Sequence, residues 1–147
     1  MANLYEKDAY AWALEQAALL RTGKLDQIDS QNIAEEIESM GKSERRALIG
    51  QLARLLMHRL KWDHQPERRS RSWQLTIVDA REKSLRLLKD SPSLKSSLEA
   101  LLDDAYEDAR RAAAIETELE IDTFPEQRLY HANELLSPSD DELPEKH

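Results

Sequence analysis

Apolar residues recur at helical spacing along most of the chain. Tyr10, Leu14, Ala17 and Ala18 share one face, with Trp12 at its edge, and predict a first helix over about 8–22 that Gly23 stops. Leu25 and Ile28 are expected to anchor a short connection. Ile33, Ile37 and Met40, at i, i+4 and i+7, predict a second helix, capped by Asp29 or Ser30 and ended by Gly41. Ser43 then caps a third, with Arg46 leaving its capping box incomplete. Its stripe is Leu48, Leu52, Leu55, Leu56 and Leu60, widened by Ile49 and Met57. Gly50 inside that helix costs about 1 kcal/mol relative to alanine and points to a close helix–helix approach.

Pro66 pushes Gln65 away from α geometry, so the third helix is expected to end by about His64. A fourth is predicted over about 70–89, with Trp73, Ile77, Ala80, Ser84, Leu87 and Leu88 along one side. Asp90-Ser91-Pro92 reads as a stop and restart, with Ser91 as cap and Pro92 at the first helical position. The fifth helix carries Leu94, Leu98, Leu101, Leu102, Ala105, Ala109, Ala112 and Ala113 to about Thr117. Beyond it the pattern weakens. Phe124-Pro125 begins an irregular crossing, 128–136 predicts a short helix, and 137–147 reads as a disordered acidic tail. The organisation predicted is one all-α domain over 1–136, a bundle of about five helices with a short extra C-terminal one.

Composition supports that class: the chain has 147 residues with only 3 Gly and 5 Pro, and strong helix formers fill the segments between them. Cysteine is absent, which excludes disulfides, thiolate chemistry and cysteine-ligated zinc. The start, Met1-Ala2-Asn3-Leu4-Tyr5-Glu6-Lys7-Asp8, lacks the basic cap and apolar run of a signal peptide. No apolar stretch approaches the roughly 20 residues of a membrane span, so a cytoplasmic protein without membrane association is expected.

The net charge of −8 is segregated: −5 over 1–41, +8 over 42–89, neutral over 90–98 and −11 over 99–147. A basic helical pair packed beside acidic helices accounts for this, and so does a basic face offered to an anionic partner. An acidic protein repels nucleic acid at long range, which disfavours that partner.

Chemistry concentrates in Trp62-Asp63-His64-Gln65-Pro66-Glu67-Arg68-Arg69-Ser70-Arg71-Ser72-Trp73. Arginine forks bind carboxylates and phosphates, and a neighbouring indole supports them by stacking. Lys61, His64, Arg68, Arg69 and Arg71 therefore form a candidate anion site at the corner, aided by the following helix N-terminus. The competing and preferred reading is a structural clamp, with the arginines paired to Glu35, Glu36 or Glu38.

Metal and nucleophilic sites have weaker support. Glu-x-x-His does not occur, and His131-Ala132-Asn133-Glu134 has the reversed order. Convergence of His58, His64 and His131 would suit a metal, but a helix-face, a loop and a surface histidine are the simpler reading. Ser39, Ser43, Ser70 and Ser72 lie near helix ends, where capping is the common role. There is no phosphate loop, nucleophile elbow, dinucleotide fingerprint or helix-turn-helix, so neither catalysis nor a cofactor or metal is expected.

Several blocks resemble the Domain of Unknown Function 29 family of bacterial, especially cyanobacterial, proteins. They are Tyr5-Glu6-Lys7-Asp8-Ala9-Tyr10-Ala11-Trp12, Asn32-Ile33-Ala34-Glu35-Glu36-Ile37-Glu38-Ser39-Met40-Gly41 and Leu55-Leu56-Met57-His58. The segment 62–73, Tyr106-Glu107-Asp108-Ala109-Arg110 and Phe124-Pro125-Glu126 complete the set. The resemblance runs over about 5–136 and implies a small α-helical protein. It brings no activity, substrate or catalytic residue with it.

The leading functional reading is a non-catalytic interaction or adaptor module, with an unidentified protein partner or self-association. One alternative binds an anion or nucleic acid through the corner bearing Lys61, Arg68, Arg69 and Arg71. The other is a metal-dependent hydrolase built from His58, His64, His131 and the second-helix glutamates.

Overall fold

The computed structural model describes residues 3–137, so all but the first residue of the expected 137–147 tail lies outside it. All regular elements among the described residues are helical. They are α1 (Leu4–Lys7), α2 (Ala9–Arg21), α3 (Ser30–His64), α4 (Arg71–Asp90), α5 (Leu98–Thr117) and α6 (Ala132–Leu136). Short 3-10 turns cover Pro66–Arg68, Pro92–Ser97 and Ile121–Thr123. None of these helices is long and apolar enough to cross a membrane. The chain divides into two compact units, Met1–Ser43 and Glu44–His147.

In the first unit, Asp8 caps α2 by accepting from the Ala11 amide at 3.0 Å. Gly23, at φ +74°, ends the helix in the left-handed conformation. The Lys24 amide then bonds to the Leu19 carbonyl at 2.9 Å and the Gly23 amide to that of Leu20 at 3.2 Å, which makes a Schellman stop. Asp29 ties the connection to both helices. Its backbone amide donates to Gln16 at 2.7 Å, while its carboxylate accepts from the Trp12 indole at 3.1 Å and from Asn32. The bond from Asn32 holds that carboxyl below its ordinary pKa.

The core face of α2 is therefore not the expected one. Trp12 and Gln16 are buried, while Tyr10 and Leu14 are 77% and 57% exposed. Apolar residues surround this helix almost completely, so periodicity sets its phase weakly, and the Trp12 and Gln16 bonds to Asp29 decide it. Leu25, expected as an anchor, is likewise exposed.

Gly41 does not end a helix and Ser43 does not cap one, because α3 runs unbroken through both. A glycine in a helix costs about 1 kcal/mol relative to alanine, and the flanking Met40, Lys42, Glu44, Arg45, Arg46 and Ala47 offset it. No proline follows to enforce a stop.

The second unit holds the apolar core. Leu48, Leu52, Leu55, Leu56 and Leu60 of α3 meet Ile77, Ala80 and Leu88 of α4, and Leu101, Leu102, Ala105, Ala109 and Ala113 of α5. Those stripes match the expected faces. A Cβ added at Gly50 would meet nothing within 4 Å, so no close helix approach explains that glycine. Ser70 caps α4, its hydroxyl accepting from the Trp73 amide at 3.2 Å. Ser91 makes no such side-chain bond, and the restart at Pro92 begins as a 3-10 turn, which delays α5 to Leu98.

The segment after α5 is held mainly by side chains. Phe124 and Leu135 are buried in the core. Arg110 donates to the Phe124 carbonyl at 3.1 Å, Tyr106 to that of Pro125, Arg128 to that of Tyr130, and Arg81 to that of Leu135 at 2.8 Å. These donors satisfy carbonyls that no strand or helix partner reaches. The expected helix over 128–136 shrinks to Ala132–Leu136, because the preceding segment takes these side-chain bonds instead.

Candidate functional site

The basic corner follows α3, where Pro66 starts the turn that leads into α4. Trp62 is buried beside it. Lys61 pairs with Glu116 at 2.7 Å and sits 4.8 Å from the centre of the Trp73 ring. Arg69 lies 4.8 Å over the Trp62 ring and donates through Nε to the Trp62 carbonyl at 2.8 Å. It thereby satisfies one of the acceptors a helix end leaves open. His64 places Nδ1 2.9 Å from the Leu60 carbonyl and meets Phe124 edge-on at 4.9 Å. Within 44–137, Arg68 and Arg71 are exposed and make neither an ion pair nor a side-chain hydrogen bond. The five basic candidates thus separate into three with internal partners and two facing water.

Glu35, Glu36 and Glu38 belong to the first unit. There Glu36 accepts from the Tyr5 hydroxyl, and this raises the tyrosine's pKa. Glu35 and Glu38 are exposed. His58 brings Nδ1 within 3.0 Å of the Arg54 carbonyl, and burial lowers its pKa below the ordinary value. His131 immediately precedes α6. Among the described residues no three His, Asp or Glu side chains are grouped as a metal ion requires, so His58, His64 and His131 do not converge.

Residues that sequence reasoning assigned to the core make a surface instead. In the first unit, α2 and the 30–43 part of α3 enclose an apolar groove of about 600 Å³. Trp12, Leu20, Ile33, Ile37 and Met40 provide its apolar lining, with Gln16, Glu36, Ser39 and Ser43 as polar neighbours. Ile37 and Met40, the expected interior stripe, are 62% and 67% exposed. Large exposed apolar patches mark surfaces that meet a protein, a membrane or a ligand. The apolar pattern gives no sign of the tyrosine pairings, Tyr130 to Asp63 and Tyr106 to the Pro125 carbonyl. For the second, the usable signal was Tyr106 and Arg110 one turn apart, aimed at neighbouring carbonyls.

Several of the distinctive blocks meet each other in space. Tyr5 packs edge-on to Trp12 at 4.7 Å and bonds Glu36, while Tyr106 and Arg110 hold Phe124-Pro125. Their roles here are structural. A family model described as Domain of unknown function DUF29 matches residues 4–139. No curated protein and no solved structure matches the chain. Matched over nearly its whole length, the chain belongs to the DUF29 family of unknown function.

Proposed function

We propose that the protein is a helical protein-interaction module whose docking surface is the apolar groove of its first unit. The observation that carries this reading is the exposure of Ile37 and Met40 beside Trp12 and Leu20. A helix apolar on every side, as α2 is, belongs in a protein interior, and at 13 residues it is too short to span a membrane. The occupant is a neutral or basic amphipathic helix of another protein, laid into the groove by its apolar face. Charge supports that choice. Residues 1–43 carry 8 acidic and 4 basic side chains, which disfavours anionic lipid, nucleic acid and an equally acidic second copy.

Affinity capture from native lysate, run beside light scattering after size exclusion, tests this. Wild-type protein is expected to recover a protein partner that the Ile37→Glu, Met40→Glu double variant does not. Both forms should be monomeric alone and equally stable, since the substituted side chains are exposed. A dimer lost in the double variant would replace the foreign helix with a second copy. Equal recovery by both proteins, or none by either from a monomeric chain, would remove the reading.

A further inference from the structure

A separate cavity of about 390 Å³ lies within the second unit, against the end of α3, the middle of α5 and the C-terminal segment. Its polar lining is Asp63, His64, Tyr106, Tyr130 and Glu134, with Pro125 and Leu129 as apolar walls. The positions of the protons decide what it can hold. Tyr106 donates its hydroxyl proton to the Pro125 carbonyl, which can only accept. Tyr130 donates its own to the Asp63 carboxylate. The Leu60 carbonyl likewise only accepts, so the neutral His64 ring that meets it has its proton on Nδ1 and Nε2 as an acceptor. Burial raises the pKa of both tyrosines, which keeps those protons in place.

Asp63 and Glu134, as carboxylates, have no proton to offer. Among the described residues, every polar side chain lining the cavity therefore presents lone pairs with no N–H or O–H donor left free. Such a lining rejects anions and acceptor-rich ligands, since burying unmatched acceptors costs free energy. It suits a cation that carries several donors. A phenol face attracts positive charge as well. The protein already uses the same groups this way: Arg59 lies 3.7 Å from Asp63 and 5.8 Å from the centre of the Tyr130 ring. Arg59 offsets part of the Asp63 charge, while Glu134, exposed on α6, lines the same cavity. The absence of a metal-ligand grouping among the described residues turns the choice toward an organic cation.

We propose that this cavity binds a compact organic ammonium ion bearing several N–H donors, of the alkyl diamine class. The same chemistry is available from a free diamine or from a lysine side chain of another protein. The site is independent of the groove on the first unit.

The test is a titration of the full, isotope-labelled chain with diaminobutane at constant ionic strength, followed by amide chemical shifts. Saturable shifts confined to residues 63–64, 106 and 125–134 are expected, with a Kd on the order of 1 mM, ordinary for so small a ligand. Tetramethylammonium carries the charge without N–H groups and should bind at least about tenfold more weakly. Glu134→Gln, at an exposed position on α6, should weaken diaminobutane about tenfold without unfolding the chain. Tyr130→Phe, which removes the hydroxyl lone pairs and the bond to Asp63, should weaken it as well. An acetylated, amidated lysine arm identifies the source. Tighter binding than diaminobutane assigns the cavity to a partner's side chain, and weaker binding assigns it to a free amine. Shifts that do not saturate, equal binding of tetramethylammonium, or a Glu134→Gln protein that binds as wild type would each overturn the proposal.

Discussion

Arg68, Arg69 and Arg71 stand within one turn of chain, yet only Arg69 reaches back over Trp62 and bonds its carbonyl. Removing that side chain loses the stacking and leaves the helix-end carbonyl short of a donor. Arg69→Ala is therefore expected to destabilise the protein by about 1–2 kcal/mol in urea unfolding. Arg68→Ala and Arg71→Ala, which lose no side-chain hydrogen bond or ion pair within their unit, should stay within about 0.5 kcal/mol of wild type. Equal losses at all three positions would mean that the corner is held differently. The residue types, their reach and even the stacking of guanidinium on indole are legible in the sequence. The partners are not, because a long arginine finds whichever acceptor the end of α3 leaves open. Lys61 and His64 were equally open choices, settled by Glu116 on α5 and by the Leu60 carbonyl one turn back.

Elements differ in how plainly they can be read, and the reason is contrast. In α4 and α5, and in α3 from Leu48 onward, apolar and polar positions separate cleanly around the helix, and the expected stripes are the buried ones. Nothing comparable marks α2, where alanine and leucine occur on every side and polar bonds to Asp29 fix the phase. Glycines mislead for a related reason. Gly23 adopts a conformation that other residues resist, whereas Gly41 and Gly50 sit at ordinary helical angles with open space where a Cβ would go. Gly41→Ala and Gly50→Ala are each expected to stabilise the protein by about 0.5–1 kcal/mol, measured as a shift of the thermal or urea midpoint. A loss at Gly41 would mean that a close approach or bend at that position matters. The C-terminal segment was least legible, because its carbonyls are met by side chains from α4 and α5 far away in sequence.

Across the whole molecule, burial is uneven. Among its described residues the first unit buries only Trp12 and Gln16, while the second encloses a leucine-rich core with Phe124 and Leu135 locked into it. One buried aromatic contributes about 1.5–3 kcal/mol, little against the entropy of ordering a helical hairpin. Stability should therefore divide along the chain. In native-state hydrogen exchange, amides of α2 and of the 30–43 part of α3 are expected to open through local events well below the global free energy. Amides over 48–60 and 101–113 should require global unfolding. A single cooperative domain over 1–136 predicts the opposite, with one class of protection shared by α2 and α5. The same experiment bears on the groove. A helix that fills it would cover Ile37, Met40 and Leu20 and so slow exchange over 9–43 while leaving the second unit unchanged. Slowed exchange in both units on adding a partner would instead mean that it binds elsewhere and steadies the chain as a whole.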